Sequence, residues 1–214
     1  MIKNELINFI LEEKIVAIIR MLDKEEAIEV TEALVKGGIK LIEVTLDSPN
    51  SLKTIEALTE KYQNDEVVIG AGTVLDSESA RLAIIAGAEF LLSPSLNIDF
   101  IKTCNRYDKV AIPGAMTPTE ILTAKENGAD IIKVFPASNL GSSYIKSIKG
   151  PISNINLMAT GGISIDNIIE FVESGSDSVG IGSSLVDKKL IKSKNYKELT
   201  SKAVEYINRI KNNM

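Results

Sequence analysis

The amino-acid sequence predicts an α/β fold, a parallel (β/α)8 TIM barrel with an extra N-terminal helix. Short apolar segments of strand length recur along the 214 residues, and amphipathic segments with helical spacing lie between them. Several of the helical segments end at a glycine that is followed at once by the next apolar segment. About eight such units of roughly 25 residues match a barrel near the lower end of its size range. An open, doubly wound sheet is the alternative.

The predicted elements follow in chain order. Residues 3–13 form a first helix outside the repeat, which we expect to close the bottom of the barrel. Residues 24–35 illustrate the predicted helices between strands, with a glycine stop at Gly37 and Gly38. Residues 196–212 form a final amphipathic helix against the barrel wall. The predicted strands are residues 14–19, 41–45, 67–69, 90–92, 110–112, 131–135, 155–158 and 178–181.

Composition narrows the class of protein. Hydrophobic residues make up 44% and charged residues 25% of the chain, which is typical of a soluble globular protein, and we expect a single domain over residues 1–214. A net charge of -5 without a long basic run argues against a nucleic-acid partner. No apolar run reaches the roughly 20 residues that span a bilayer, and a signal-type segment is lacking. We therefore expect a cytoplasmic protein without a membrane partner.

Two further counts limit the chemistry. Histidine is absent, which excludes histidine-based triads and the usual imidazole-rich catalytic metal sites. The single cysteine, Cys104, can form neither an internal disulfide nor a zinc cluster, and packing is its expected role. Magnesium bound by carboxylates alone is still an alternative, but the sequence has no obvious acidic cluster for it, and we expect no metal. Proton transfer must then depend on carboxylates, lysine, tyrosine or water.

Lys133 interrupts a short apolar segment, residues 131–135, that otherwise has the pattern of a buried strand. Burial favours the neutral amine, which is a nucleophile that can attack a carbonyl group. Glu43 lies in the same kind of segment, residues 41–45, and a buried carboxylate can transfer protons. Because alternate strand residues share a face, both side chains can point into the barrel. The pair predicts an enzyme; the alternative is a structural ion pair between strands.

Glycines and polar residues follow the predicted strands, which places them at the functional face of a (β/α)8 barrel. The Gly161-Gly162 and Gly182-Ser183-Ser184 segments end the two strands whose loops commonly bind phosphate in such barrels. Glycine allows backbone N–H groups to approach an anion, and a following helix N-terminus favours negative charge. Together these segments favour a phosphorylated substrate.

Seven motifs in order carry a resemblance to a known family. The chain closely resembles the bacterial 2-keto-3-deoxy-6-phosphogluconate (KDPG) aldolases, also called KHG/KDPG aldolases, over nearly its whole length. The motifs are GGIKLIEVTL (37–46), IGAGTV (69–74), FLLSP (90–94), IPG (112–114), KVFPA (133–137), TGGI (160–163) and IGSSL (181–185).

The resemblance implies a role for each candidate residue. Lys133 is the Schiff-base lysine, and Glu43 is the general acid/base, acting mainly through a bound water. The implied substrate contacts are Thr73 and the region of Gly72 for the pyruvate carboxylate, Pro94 and Phe135 as walls, Thr160 for a substrate hydroxyl, and Thr45 beside Glu43 on its strand. The implied phosphate ligands are Gly161, Gly162, Gly182, Ser183 and Ser184.

The implied reaction is reversible cleavage of a phosphorylated keto-deoxy sugar acid to pyruvate and glyceraldehyde 3-phosphate. The protonated imine acts as the electron sink, because it withdraws electrons better than the parent ketone. Enzymes of this family are typically homotrimers that need no metal or other cofactor besides the covalent imine.

One position departs from a form of the family pattern. Several members have an arginine after the Glu-Val-Thr-Leu run, placed for the substrate carboxylate, but here that residue is Asp47. We hypothesise that Arg20, at the end of the first strand, supplies the missing positive charge. The alternative for Arg20 is a structural role at the barrel rim.

Other functions remain open from the sequence. Within the aldolases, the substrate could be 4-hydroxy-2-oxoglutarate or the galactonate epimer, although Thr160 favours the gluconate form by the resemblance. A phosphosugar isomerase or epimerase would use the phosphate loops and Glu43 but would not need Lys133 as an imine former. A non-catalytic sugar-phosphate binding module is a third possibility, since fold alone does not determine function.

Overall fold

A computed structural model describes residues 1–213 and shows a parallel β-barrel surrounded by helices. The strands are β1 Ile15–Ile19, β2 Leu41–Thr45, β3 Val68–Gly72, β4 Phe90–Leu92, β5 Val110–Ile112, β6 Gly114–Ala115, β7 Ile132–Val134, β8 Leu157–Thr160 and β9 Ser178–Ile181. Their order in the sheet is β5-β4-β3-β2-β1-β9-β8-β7-β6, and every neighbouring pair is parallel.

The helices lie between the strands. Within residues 1–213 they are α1 Lys3–Glu13, α2 Lys24–Lys36, α3 Ser51–Lys61, α4 Ser77–Ile85, α5 Ile98–Arg106, α6 Pro118–Glu126, α7 Ala137–Leu140, α8 Ser142–Lys149, α9 Ile168–Glu173, α10 Lys188–Lys192 and α11 Tyr196–Lys211. None of these helices has the length and hydrophobicity to cross a membrane.

The barrel closes at Pro113, which separates β5 from β6. β5 pairs with β4, whereas β6 pairs with β7, so the two segments together fill one strand position. The amide of Lys133 donates to the carbonyl of Pro113 (2.9 Å), and the amide of Asp130 donates to that of Ala111 (3.1 Å). Because proline has no N–H to donate, the strand is interrupted there. The predicted (β/α)8 barrel is confirmed, and the open-sheet alternative is wrong.

Two hydrophobic cores lie on either side of the barrel wall. The inner core includes the strand residues Val16, Leu41, Val68, Phe90, Leu92, Val110, Ile112, Ile131 and Met158. Leu6 and Ile10 of α1 belong to the same core, so the extra helix packs against the barrel interior. This agrees with the expected closure of the barrel bottom by the first helix.

The inner core also fixes which strand face points inward. Leu41 of β2 and Ile131, directly before β7, are inner-core residues, and Glu43 and Lys133 lie two positions after them. Since alternate strand residues share a face, both ionisable side chains point into the barrel. They lie nearer the carboxyl ends of the strands than the apolar residues that fill the bottom.

Four predicted strands differ in their bounds from the observed ones: residues 14–19 and 131–135 extend slightly beyond β1 and β7, and residues 67–69 and 155–158 are displaced from β3 and β8. β3 runs to Gly72, whereas the sequence predicted residues 67–69, because Gly70 continues the strand and leaves room for the Phe90 ring that a Cβ at this position would meet. β8 begins at Leu157 instead of residue 155. Ile155 lies in the outer core, and its carbonyl accepts a hydrogen bond from Lys149 Nζ (2.6 Å).

Candidate active site

A cavity of about 660 Å³ opens at the carboxyl ends of the strands. Thirteen of the residues predicted from sequence line it: Arg20, Glu43, Thr45, Thr73, Pro94, Lys133, Phe135, Thr160, Gly161, Gly162, Gly182, Ser183 and Ser184. The structure therefore brings together residues that are spread over most of the chain. Gly72, the other predicted residue, lies behind Glu43 instead of on the cavity wall.

Lys133 lies in β7, between Gly114 of β6 and Met158 of β8. Only 6% of the residue is exposed. Burial lowers the pKa of the Lys133 amine, Glu43 partly opposes this shift, and Arg20 adds to it. The ammonium nitrogen lies 4.9 Å from the centre of the Phe135 ring. The amine is thus in a nearly closed site that favours its neutral, nucleophilic form.

Glu43 lies in β2 with 1% of the residue exposed. Burial raises the pKa of its carboxyl group, while Lys133 and Arg20 act to lower it. Oε2 has no hydrogen-bond partner within the protein. Among residues 1–213, the ion pairs within 4.0 Å do not include one between Glu43 and Lys133. The structural ion pair considered from sequence is therefore not formed.

The loop after β3 holds a strained residue at the cavity. Thr73 has a positive φ of 54°, which is unfavourable for a β-branched side chain. Such strain is common where a binding or catalytic site requires a particular backbone direction. Thr73 directly follows Gly72 of β3, and β3 pairs with β2, the strand that carries Glu43. Thr73 therefore lies next to the end of β2.

The two loops after β8 and β9 lie on one side of the cavity. Gly161 and Gly162 have φ values of 93° and 73°, which glycine adopts without strain. In the described part of the chain, the backbone amides of Gly162 and Ser183 donate no hydrogen bond to another protein group. The Ser184 hydroxyl instead donates a short hydrogen bond to the carbonyl of Ile163 and joins the two loops. Free amides in these loops can bind an anion.

Thr160 ends β8 and lines the cavity between Lys133 and these loops. Its Oγ1 is buried and has no partner within the protein. A Cβ atom on Gly180 of the neighbouring strand would lie 2.6 Å from that oxygen. Glycine at position 180 thus provides the space for the Thr160 hydroxyl, which is free to bond a ligand.

Arg20 and Asp47 form an ion pair at the cavity mouth. Arg20 Nε and Nη2 donate to Asp47 Oδ2 at 3.0 and 2.6 Å, and 61% of the Arg20 side chain is exposed. Partial burial acts to raise the pKa of Asp47, but the Thr45 hydroxyl and Arg20 outweigh it and lower the pKa. From the sequence, Asp47 occupies the position at which several family members have an arginine. The structure shows that Asp47 contacts Arg20, the residue that we expect to supply the positive charge instead.

Several cavity residues were not predicted from sequence: Ile18, Met21, Leu22, Ile163, Ser164, Val186, Lys188 and Ile191. Most are apolar and resemble ordinary core residues in the sequence. Lys188 begins α10, six residues beyond Gly182, and no local pattern distinguishes it from other surface lysines. Within residues 1–213, no group of three or more cysteine, aspartate or glutamate residues is placed to share a metal ion.

Comparisons with known proteins agree with this arrangement. The sequence model of the aldolase family described as KDPG and KHG aldolase matches residues 6–202. The 2-dehydro-3-deoxy-phosphogluconate aldolase of Haemophilus influenzae is 33% identical over 97% of this chain and 97% of its own length. The 2-dehydro-3-deoxy-6-phosphogalactonate aldolase of Escherichia coli K12 is 33% identical over 80% of this chain and 83% of its own length.

A solved structure shows the same fold. The KDPG aldolase of Legionella pneumophila, captured with pyruvate as a covalent carbinolamine intermediate, has a TM-score of 0.83 and 30% sequence identity. The alignment covers 89% of this chain and 92% of that one. The family match spans most of this sequence, and the curated relatives are aldolases with nearly the same length. The chain belongs to the KDPG and KHG aldolase family.

Proposed function

We propose that this protein is a class I aldolase in which Lys133 forms an imine with a 2-keto acid. The observation that carries the proposal is the placement of Lys133, which is 6% exposed on the inner barrel face and lines the cavity. Its lowered pKa makes the neutral amine more accessible at physiological pH than for a solvated lysine. The pyruvate carbinolamine of the Legionella relative supports the same chemistry here.

In the proposed cleavage, Lys133 Nζ adds to the C2 carbonyl of the substrate, and loss of water gives a protonated imine. The C4 hydroxyl then loses its proton, the C3–C4 bond breaks, and its electron pair moves into the imine to give an enamine and an aldehyde. Protonation of C3 and hydrolysis release pyruvate and restore the amine. The iminium stabilises the developing carbanion, which is the main barrier to cleavage.

Glu43 is the proposed acid/base in these proton transfers, acting mainly through a bound water. Its carboxyl group lies in the same cavity as Lys133, and burial raises its pKa. A raised pKa brings a carboxyl group closer to the operating pH, where it can both accept and donate a proton. The unpartnered Oε2 leaves one oxygen available for this role.

The two ends of the cavity suggest how the substrate binds. We assign the phosphate to the loops after β8 and β9, with Gly161, Gly162, Gly182, Ser183 and Ser184. The proposed ligands of the keto-acid end are Arg20, Thr45, Gly72 and Thr73, between walls formed by Pro94 and Phe135. Thr160 is proposed to bind a substrate hydroxyl with its unpartnered Oγ1.

The substrate we propose first is 2-keto-3-deoxy-6-phosphogluconate, which yields pyruvate and glyceraldehyde 3-phosphate. The 6-phosphogalactonate epimer is the second candidate, because the E. coli relative named for it and the H. influenzae relative are both 33% identical to this chain. We keep 4-hydroxy-2-oxoglutarate as an alternative. We also propose a single-domain, metal-free homotrimer in the cytoplasm.

The test is borohydride trapping of the imine. Wild-type protein and the Lys133→Met variant are incubated with pyruvate and sodium borohydride, and the adduct is mapped by peptide mass spectrometry. We expect an adduct at Lys133 in the wild type and none in the variant. Lys40→Met, which removes a lysine outside the cavity, is the matched control and should keep the adduct. Folded wild-type protein without an adduct would contradict the aldolase proposal and favour an isomerase, an epimerase or a binding module.

A further inference from the structure

The Arg20–Asp47 ion pair connects the loop after β1, which lines the cavity, with the loop after β2. Arg20 follows β1, and Asp47 follows β2, the strand that carries Glu43. Both contacts go to one carboxylate oxygen, Asp47 Oδ2, from Arg20 Nε (3.0 Å) and Nη2 (2.6 Å). The edge of the guanidinium that carries Nη1 is not used by Asp47. Arginine has five N–H donors, so several of them stay available to a ligand.

A second contact between the same loops holds the backbone beside Arg20. The amide of Met21 donates to Ser48 Oγ at 2.8 Å, and Ser48 Oγ lies 3.1 Å from Thr45 Oγ1. Met21 has a positive φ of 58°, which an unbranched side chain also adopts rarely. The loop after β1 is thus bound to the loop after β2 through backbone and side chain.

We propose that Asp47 is a positioning residue that holds the Arg20 guanidinium at the cavity mouth, where its free N–H groups bind an anionic group of the substrate. The inference rests on the proposed function, because the anionic group would be either the keto-acid carboxylate or the phosphate. The phosphate is within the proposal because we assign it in part to the loop after β9, and β9 is the neighbour of β1. Asp47 does not replace the arginine that some relatives have at its position. It fixes the arginine of a neighbouring strand.

An arginine that is already fixed loses less conformational freedom when it binds a ligand. Arg20 is mostly exposed, and a free arginine side chain loses much rotamer entropy when it is fixed. The pair with Asp47 fixes the side chain before substrate arrives, so less entropy is lost on binding. Asp47 also cancels part of the Arg20 charge, but it binds one edge of the planar guanidinium and leaves another for a second acceptor.

The test is a double-mutant cycle with Asp47→Ala, Arg20→Ala and the double variant. The assay is condensation of pyruvate with glyceraldehyde 3-phosphate, with kcat and KM measured for each substrate. Calorimetric titration with pyruvate and with inorganic phosphate measures binding without turnover. Glu32→Ala is the matched control, because it removes a surface pair of the same length, Lys61 Nζ to Glu32 Oε1 at 2.6 Å, outside the cavity. Asp47→Asn tests whether an uncharged acceptor suffices.

We expect Arg20→Ala to raise the KM of one substrate by about 10- to 100-fold, as loss of a charge-assisted hydrogen bond does. Asp47→Ala should raise the same KM by about three- to fivefold at unchanged kcat, the range of one exposed ion pair. The double variant should match Arg20→Ala, and Asp47→Asn should recover part of the loss. The substrate whose KM and affinity change identifies the anionic group.

Two results would overturn the inference alone, in protein that condenses the substrates. In one, Asp47→Ala leaves both KM values unchanged or lowers one. In the other, Asp47→Ala raises KM by the same factor whether Arg20 is present or replaced by alanine. Asp47 would then act on the conformation of the loop and not through the Arg20 guanidinium. Wild-type protein that neither binds the two probes nor catalyses condensation would overturn the inference together with the proposed function.

Discussion

The carboxyl group of Glu43 occupies the space that any side chain at position 72 would need. A Cβ atom on Gly72 would overlap Glu43 Oε1 and come within 2.8 Å of its Cγ. The two residues lie on paired strands, with Thr45 of β2 opposite Gly72 of β3. Glycine at position 72 therefore allows the carboxyl group to lie against the backbone of β3, inside the cavity with Lys133.

We predict that Gly72→Ala lowers kcat by about 100-fold, because a displacement of an acid/base group by roughly 1 Å has effects of that size. Steady-state kinetics of aldol cleavage measure the change. The matched control is Gly150→Ala, since a Cβ atom there would meet nothing closer than 3.7 Å. The control should retain wild-type kinetics. A Gly72→Ala enzyme with unchanged kcat would show that Glu43 can move without loss of activity.

The sequence predicts the barrel well because the signals are local. A buried strand requires a short apolar run, and a helix end favours glycine, so both appear in neighbouring residues. Lys133 and Glu43 were identifiable since a charge inside such a run is rare in a buried strand. The predicted strand ends are less accurate. Glycines such as Gly70 and Gly72 are typical of a loop, yet both continue β3, because side chains of β4 and β2 fill the space beside them.

The sequence does not predict contacts between loops. Arg20 and Asp47 are 27 positions apart, and their pairing depends on the adjacency of β1 and β2 and on side-chain directions after both strands end. The hydrogen bond from the Ser184 hydroxyl to the carbonyl of Ile163 likewise depends on the fact that β8 and β9 are neighbours. The resemblance named Ser184 as a phosphate ligand, but only the structure shows that its hydroxyl proton is already used within the protein.

We predict that Gly162→Ala selectively weakens recognition of the phosphorylated substrate. An alanine at φ 73° is strained, and its Cβ would overlap the Ser138 hydroxyl, so the loop must move. The KM for glyceraldehyde 3-phosphate should rise by about tenfold or more, as loss of one hydrogen bond to a charged group does. The KM for pyruvate should change little. Both values follow from condensation kinetics.

Gly128→Ala is the matched control for backbone strain. Gly128 has a similar φ of 89° but lies after α6 and outside the cavity. The Gly128→Ala variant should be less stable than the wild type, and its KM values for pyruvate and glyceraldehyde 3-phosphate should not change. Equal increases of both KM values in Gly162→Ala would contradict the assignment of this loop to phosphate.

We predict that Lys133→Met abolishes activity and stabilises the fold at neutral pH. The folded-state pKa of Lys133 lies below its ordinary value of 10.5, so the folded protein binds the lysine proton less tightly than the unfolded chain. This cost is largest below the folded pKa and disappears as the pH rises above 10.5. The melting temperature should therefore rise at pH 7. The gain should shrink as the pH approaches 10.5.

Lys40→Met provides a control of opposite sign. Hydrogen bonds from Lys40 to Glu13 and Glu66 raise the pKa of Lys40, so its contribution to stability is present below 10.5 and lost as the pH rises through the folded pKa. Removal of this lysine, whose side chain is 34% exposed, should lower the melting temperature slightly at pH 7. Thermal unfolding of both variants from pH 7 to 10.5 checks the signs. If Lys133→Met were less stable than the wild type at pH 7, the buried ammonium would be stabilised by the barrel, and a nucleophilic neutral amine would not be favoured there.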